Sequence, residues 1–370
     1  NYPTRYYELG IRMKKKVGVL FSCILSILLI GGAYAANITE IKPSDHSGQT
    51  ITILDDRDQY ITVPYPVKNV VFLVENAMNS MYAVGGADHI SGIGSIWMPE
   101  KKIPFFKAID PKFGEKPTIG SENGAVDLEA LAKADPSLVV LWSADWNDET
   151  TTAIRETLKV PVYGVYYTKL SDVSRANDVF AKMIGNEGRA EEVSRIMANY
   201  TRRVTDKTGE LQSDKRPTVY WMWGDILGTA GLNSATNDLI TLAGGKNVLE
   251  NANFEGKMLE HPTISLETLQ KLNPDVIYMW YNEKIDPSDV MSGVGDFAGW
   301  KDLKAVKNGR VYEVTDPFVY DSFTPCQPLA LMAIAKDLHP EIFKDINMDT
   351  LIDSFFVDMY GVHYPDYTAA

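Results

Sequence analysis

The chain has 370 residues, long enough for about two domains that each bury a proper core. Its 49 Asp+Glu against 36 Lys+Arg give a formal net charge of −13 at pH 7, which argues against nucleic acid as a partner. The charge favours a freely diffusing soluble protein and says nothing about fold.

At the start, Lys14, Lys15 and Lys16 precede an apolar run over residues 17–30, and Ala33 and Ala35 are small enough for a signal peptidase. This order predicts a secretory signal peptide over 13–35, cleaved before Ala36, and an extracytoplasmic mature protein. The run is shorter than the ~20 residues a spanning helix needs, and Ser22, Cys23 and Ser26 interrupt it. Residues 1–12 read as an upstream extension outside the fold. Without the leader Cys326 is the only cysteine, so no intrachain disulfide can form. Loss of Arg5, Arg12, Lys14, Lys15, Lys16 and Glu8 leaves a net charge of about −17.

Beyond the leader, one pattern occurs twice. In the first half, residues 70–73 (Val, Val, Phe, Leu) predict a buried strand that leads into a helix ending at Gly85 and Gly86. Residues 127–142 then read as an N-cap (Asp127), a short helix with Leu128 and Leu131 on one side, a proline stop and a buried strand ending at Trp142. Another strand follows over 160–165. In the second half, residues 219–222 match the first strand, Gly244 and Gly245 close the helix, and 309–314 form the last strand. Residues 265–280 align with 127–142 without a gap, Leu, Glu, Leu, Lys, Pro and Trp coinciding. Each half is thus expected to run strand, helix, strand, helix, strand, an α/β fold of two Rossmann-like lobes with parallel sheets. The first lobe is placed at 50–186 and the second at 213–345. Between them, 187–212 carries apolar Val193, Ile196, Met197, Tyr200 and Val204 at helical spacing, which predicts one long interdomain helix of roughly 30 Å. The tail, 346–370, holds a helix over 350–356 and an aromatic end over 360–367.

Taken together, these pieces resemble the helical-backbone class of ABC-transporter solute-binding proteins, whose members carry ferric siderophores, haem or cobalamin. The resemblance rests on Arg57 with Val63-Pro64 and 67–71; 84–93; 117–120 ahead of 127–131; 242–248; 264–269; 273–277; and Trp300 with 305–312. It implies a ligand held between two lobes, no catalysis, and an ABC permease with its ATPase as partners of a monomeric receptor. Through the two Leu-Glu-x-Leu motifs it also implies that Glu129 and Glu267 dock into arginine pockets of that permease.

In open α/β sheets ligands collect beyond the carboxyl ends of the strands. The candidate ligand-binding residues there are Glu75, Asn76, Trp97, Trp142, Trp146, Tyr166 and Tyr167 in the first half, and Trp223, Asp225, His261, Trp280, Tyr281 and Tyr320 in the second. The loop 121–123 belongs to the same set. Trp and Tyr supply broad, flat contact with polar tips suited to a wet cleft. No arginine falls in these loops, whereas Glu75, Asp145, Asp225, Glu260 and Asp321 do, which points to a neutral or cationic cargo: a small-molecule iron or cobalt chelate such as a hydroxamate siderophore complex or a corrinoid. No resident cofactor is expected. Haem through His261, Tyr166 or Tyr320, and a bare metal ion on tyrosinates and carboxylates, stand as alternatives, as does a ligand sensor without transport on the same fold. No nucleophile elbow, phosphate loop or zinc-protease motif appears, which argues against an enzyme.

Overall fold

The computed structural model describes residues 48–97, 99–120, 126–282 and 284–365. The predicted leader, the loop 121–123 and the last part of the aromatic tail lie outside these residues.

An antiparallel hairpin comes first, β1 (Thr50–Leu54) and β2 (Tyr60–Pro64), with Leu54 opposite Tyr60. Alternation buries Ile53, Ile61 and Val63 and turns Leu54 and Tyr60 outward. Then come β3 (Val70–Phe72), α1 (Glu75–Ala83), β4 (Ile90–Ile93), α2 (Pro99–Ile109), α3 (Leu128–Lys133), β5 (Leu138–Trp142), α4 (Glu149–Ala153) and β6 (Val162–Val165). The four strands form a parallel sheet in the order β4-β3-β5-β6. Its β6 edge would expose unpaired backbone groups. The turn joining β1 to β2 covers it: Asp56 N donates to Gly164 O (3.1 Å), Gly164 N to Asp55 Oδ2 (3.2 Å), and Tyr166 N to Asp56 Oδ2 (2.9 Å).

Two helices, α5 (Leu170–Ile184) and α6 (Glu187–Thr208), lead to the second half: β7 (Thr218–Met222), α7 (Ala235–Leu242), β8 (Lys246–Asn247), α8 (Leu266–Leu272), β9 (Val276–Met279), α9 (Pro287–Ser292), α10 (Lys304–Lys307) and β10 (Val311–Glu313). This sheet is also parallel, ordered β10-β9-β7-β8. Read from its β8 end it runs second, first, third, fourth, the same order as the first sheet, so the duplication seen in the sequence is a duplication of topology. Each sheet has four strands rather than three. The extra ones, β4 and β8, are Ile-Ser-Gly-Ile and Lys-Asn, too polar or too short to announce themselves as buried strands.

Equivalent caps recur as well. Asp127 Oδ1 accepts from Glu129 N and Ala130 N at the head of α3, and Ser265 Oγ from Thr268 N at the head of α8. Gly85 and Gly244 close α1 and α7 at φ +83° and +85°, a left-handed conformation that side chains resist.

Strand alternation divides the core. Val71, Leu73, Val139 and Leu141 face one cluster outside the first sheet, while Tyr220, Met222, Ile277 and Met279 face another outside the second. The inner faces share a single large cluster: Val70, Phe72, Leu138 and Val140 from one sheet, Val219, Trp221, Val276 and Tyr278 from the other. Helix α6 runs through this shared core, its 22 residues spanning about 33 Å and burying Val193, Ile196, Met197, Tyr200 and Val204. The long helix therefore ends at Thr208, and it is packed along its length rather than suspended as a bare rod. Gln49–Ala370 accordingly cluster as one compact unit.

The chain ends with α11 (Gln327–Leu338) and α12 (Met348–Tyr360). Helix α12 is a second brace, a role no periodicity in the tail signals. Phe356 and Tyr360 stack edge-on against Phe105 of α2 (ring centroids 5.1 and 5.4 Å), and Tyr200 OH on α6 donates to Asp358 Oδ2 (2.8 Å). Tyr360 OH bonds Asn79 on α1, and Arg189 donates to the carbonyl of Met359.

Candidate functional site

The carboxyl ends of the two sheets face each other. After β10 the chain reaches across to the first half: Phe318 packs on Phe105 and Phe106 (4.3 and 5.5 Å), Phe323 on Trp142 and Tyr167 (6.0 and 6.1 Å), and Asn76 Nδ2 donates to Asp321 Oδ2 (2.7 Å). Nearby, the Trp97 ring meets the Tyr281 ring of the opposite half edge-on at 5.6 Å. These contacts define a cleft with its floor at Asp321 and Phe323.

One wall carries Glu75, Trp97, Trp142 and Tyr166. Glu75, at the start of α1, accepts from Trp97 N (2.9 Å) and from Lys102 Nζ, and Lys102 lies 5.1 Å from the Trp97 ring centre. Trp142 contacts the Tyr166 ring at 5.9 Å, and Tyr166 is exposed. The facing wall is a run of rings: His261 stacks flat on Trp223 (4.7 Å, 4° between planes), and Trp223 packs on Trp280 (5.3 Å). Tyr220 OH bonds the carbonyls of Ile226 and Gly228, fixing the tight turn on which Trp223 stands. His261 Nε2 sits 3.5 Å from Glu260 Oε1, and Glu260 lies close enough to Tyr166 across the cleft to help raise the phenol, though burial is the larger cause.

Other sequence-derived candidates are placed differently. Trp146 is taken up by two guanidinium groups, Arg57 at 4.6 Å and Arg155 at 4.4 Å from its ring centre. Arginines thus reach a strand-end residue even though none lies in the loops themselves. Tyr167 is fully buried behind Trp142. Tyr320 faces inward with Trp221, Tyr278 and Trp280 around a small internal void. Asp225 is exposed at the tip of the Trp223 turn. Lys102, which is 8% exposed, was not legible in the sequence: it follows Lys101 in a stretch that reads as solvated surface.

Burial shapes the electrostatics. It pushes the Asp321 carboxyl up to about 6 and raises Glu75, against the opposing pull of Lys102 on both. Asp56, behind Tyr166, also rises to about 6 through burial, despite the Tyr166 amide and Arg175. Burial raises Asp238 and Asp337 too. Asp56 and Asp321, titrating near 6 in the folded chain rather than near 3.8, hold their protons more tightly there, so the stability this confers is complete at low pH and is lost as pH rises through about 6. His339, lowered by burial, opposes this, its contribution falling away as pH drops below 6.5. The two carboxyls raised to about 6, against one histidine, should make the chain more resistant to heat at pH 5 than at pH 7.5. Thermal unfolding followed by circular dichroism checks this, and a paired Asp56→Asn, Asp321→Asn variant should show a flatter profile.

Glu129 and Glu267 sit on the second residue of α3 and α8, 80% and 76% exposed, each bonded to the lysine four residues on (Lys133 and Lys271, both 2.8 Å). The hydrogen bond from Lys271 holds the Glu267 carboxyl below its ordinary range.

Two topologically equivalent α/β lobes with facing strand ends and an aromatic cleft define a two-lobed binding protein. A family model for the periplasmic binding protein matches residues 70–317, and the chain belongs to that family. Among curated relatives it is similar to the molybdate-binding protein MolA of Haemophilus influenzae, 23% identical over 338 residues covering 86% of this chain and 93% of the relative. It is also similar to the iron(3+)-hydroxamate-binding protein FhuD of Bacillus subtilis, 26% identical over 318 residues, 82% of this chain and 91% of the relative. The crystal structure of a periplasmic solute binding protein from Veillonella parvula superposes with a TM-score of 0.66 at 22% identity, over 86% of this chain and 95% of that one. The ABC-transporter substrate-binding class inferred from sequence is thereby shown. Among the described residues no helix is long and apolar enough to cross a membrane.

Proposed function

We propose that this chain is the exported receptor of an ABC importer, a monomer that captures a neutral or cationic metal chelate, of the ferric hydroxamate or corrinoid kind, and passes it to a permease and its ATPase without chemical change. Removal of residues 13–35 would release it outside the cytoplasm. The observation that carries the reading is the ring-lined cleft itself, Trp97 and Tyr281 across its mouth with Trp223, His261 and Trp280 along one wall. A chelate brings its own metal ligands and presents flat, partly apolar surface. Such a cargo needs ring faces more than charged forks. Glu260, on the wall beside His261, disfavours an oxyanion such as the ligand of MolA, and the likeness to FhuD supports a hydroxamate complex.

A second reading, haem or a metal ion, is favoured by one feature: His261 Nδ1 is buried with no hydrogen-bond partner among the described residues, which leaves a nitrogen lone pair or proton unanswered.

Titration of the purified protein with ferrioxamine B, hydroxocobalamin, haemin, ferric citrate and molybdate separates these, read by tryptophan quenching and visible absorption. Saturable quenching by ferrioxamine B or hydroxocobalamin is expected, with Trp280→Ala weakening it by on the order of tenfold to a hundredfold. Binding of haemin with a shifted Soret band that His261→Ala abolishes would replace the proposal with the second reading. Binding of molybdate alone would remove both.

A further inference from the structure

We propose that Lys102 is a positioning residue that holds Trp97 against Tyr281 and so sets the aromatic gate of the cleft; the inference rests on the binding role proposed above. Lys102 projects from α2 into the wall of the cleft and is buried there, an arrangement that costs solvation and persists only where partners replace water. Two partners do so. Its ammonium pairs with Glu75 and faces the π cloud of Trp97 at 5.1 Å, and its charge also acts on the Asp321 carboxyl of the opposite half.

Glu75 completes the clamp, because its second oxygen accepts the Trp97 backbone N–H at 2.9 Å. Backbone and ring of Trp97 are therefore fixed from one side by a single ion pair. The ring also meets Tyr281 at 5.6 Å and 73°, a cross-cleft contact between the halves beside the Asn76–Asp321 hydrogen bond. With its ammonium occupied in this way, Lys102 acts through Trp97, and the cargo meets the ring rather than the amine.

The clamp can be read without any cargo. In protein labelled with 5-fluorotryptophan, the Trp97 fluorine resonance is assigned by its loss in Trp97→Phe, and its line width and its broadening by a soluble paramagnetic agent report how firmly the ring is held. Lys102→Met should shift that resonance and raise its paramagnetic broadening severalfold while the signals of Trp300 and Trp221, both in the core, stay in place. Lys102→Arg, which keeps a donor for Glu75, should restore most of the wild-type signal. If Lys102→Met does not fold, Glu75→Gln, which leaves the wall its volume and removes the charge, should release the ring in the same way. A Trp97 signal unmoved in whichever variant folds overturns the proposal. Because no ligand enters the measurement, that failure concerns Lys102 alone, whereas failure of every chelate to bind wild-type protein concerns the proposed function.

Discussion

Arg57→Ala is expected to destabilise the fold by about 3–5 kcal/mol, the usual cost of stranding one member of a buried ion pair. The Asp55 and Arg57 side chains are 0% and 2% exposed and bonded to each other. Arg57 also donates to Val162 O (2.8 Å) and Thr151 Oγ1 (3.3 Å) and covers one face of Trp146. Its loss would leave the Asp55 carboxylate in a site where water cannot reach it and would unfasten the turn that seals the β6 edge. Since Asp56 in that turn holds the amide of Tyr166, the damage would reach the cleft wall. Arg57→Lys keeps the charge but not the fork, and should fall between wild type and alanine. Gly164→Ala tests the same packing from the other side, because a β-carbon there would lie 2.2 Å from Arg57 Nε. Urea unfolding monitored by circular dichroism measures each. A loss under about 1 kcal/mol for Arg57→Ala would place the pair among ordinary surface bridges and refute its anchoring role.

The elements legible in the sequence were those that announce themselves locally. Asp127 and Ser265 signal helix starts through side chains that bond nearby amides, and Gly85 and Gly244 signal stops through a conformation other residues resist. The face of α6 was readable because its apolar positions follow helical spacing. Strand β8 was not, since two residues hold no period. The brace formed by α12 was equally hidden, because its Phe356 and Tyr360 find Phe105 some 250 positions earlier in the chain, and nothing local encodes such a partner.

At the site, composition identified which loops are rich in rings but could not tell a ring that lines the cleft from one used elsewhere. Trp97, Trp223 and Trp280 stand in the cleft, while Trp146 is taken by Arg57 and Arg155 and Tyr167 is buried. The same limit applies to charge. An inventory of strand-end loops counts Glu75 and Asp321 as free acids, yet Lys102, which lies in a helix and looks like surface, pairs with the first and its charge acts on the second.

Reversing charge at both Glu129 and Glu267 is expected to abolish uptake in cells while leaving chelate binding by the purified protein unchanged. The two residues occupy equivalent positions, second in α3 and second in α8, and the halves that carry them share one strand order. Each carboxylate is exposed and held only by a lysine one helical turn away. A pair of that kind is weak in water, so an arginine pocket on a partner could displace the lysine at little cost. The helix starts point the same way: an acidic residue in the first turn is favoured by the helix dipole, so removing the charges should disturb each helix slightly and the fold hardly at all. The double reversal should therefore unfold only slightly below the wild-type temperature and still quench on binding chelate. Single reversals should each reduce uptake, and the double variant should reduce it further, because a two-fold permease would take one carboxylate from each half. Transport of radiolabelled iron chelate into cells expressing each variant decides the matter. Undiminished uptake by the double variant would mean that the matched carboxylates are solvated helix surface and that the permease, if it meets this protein, grips it elsewhere.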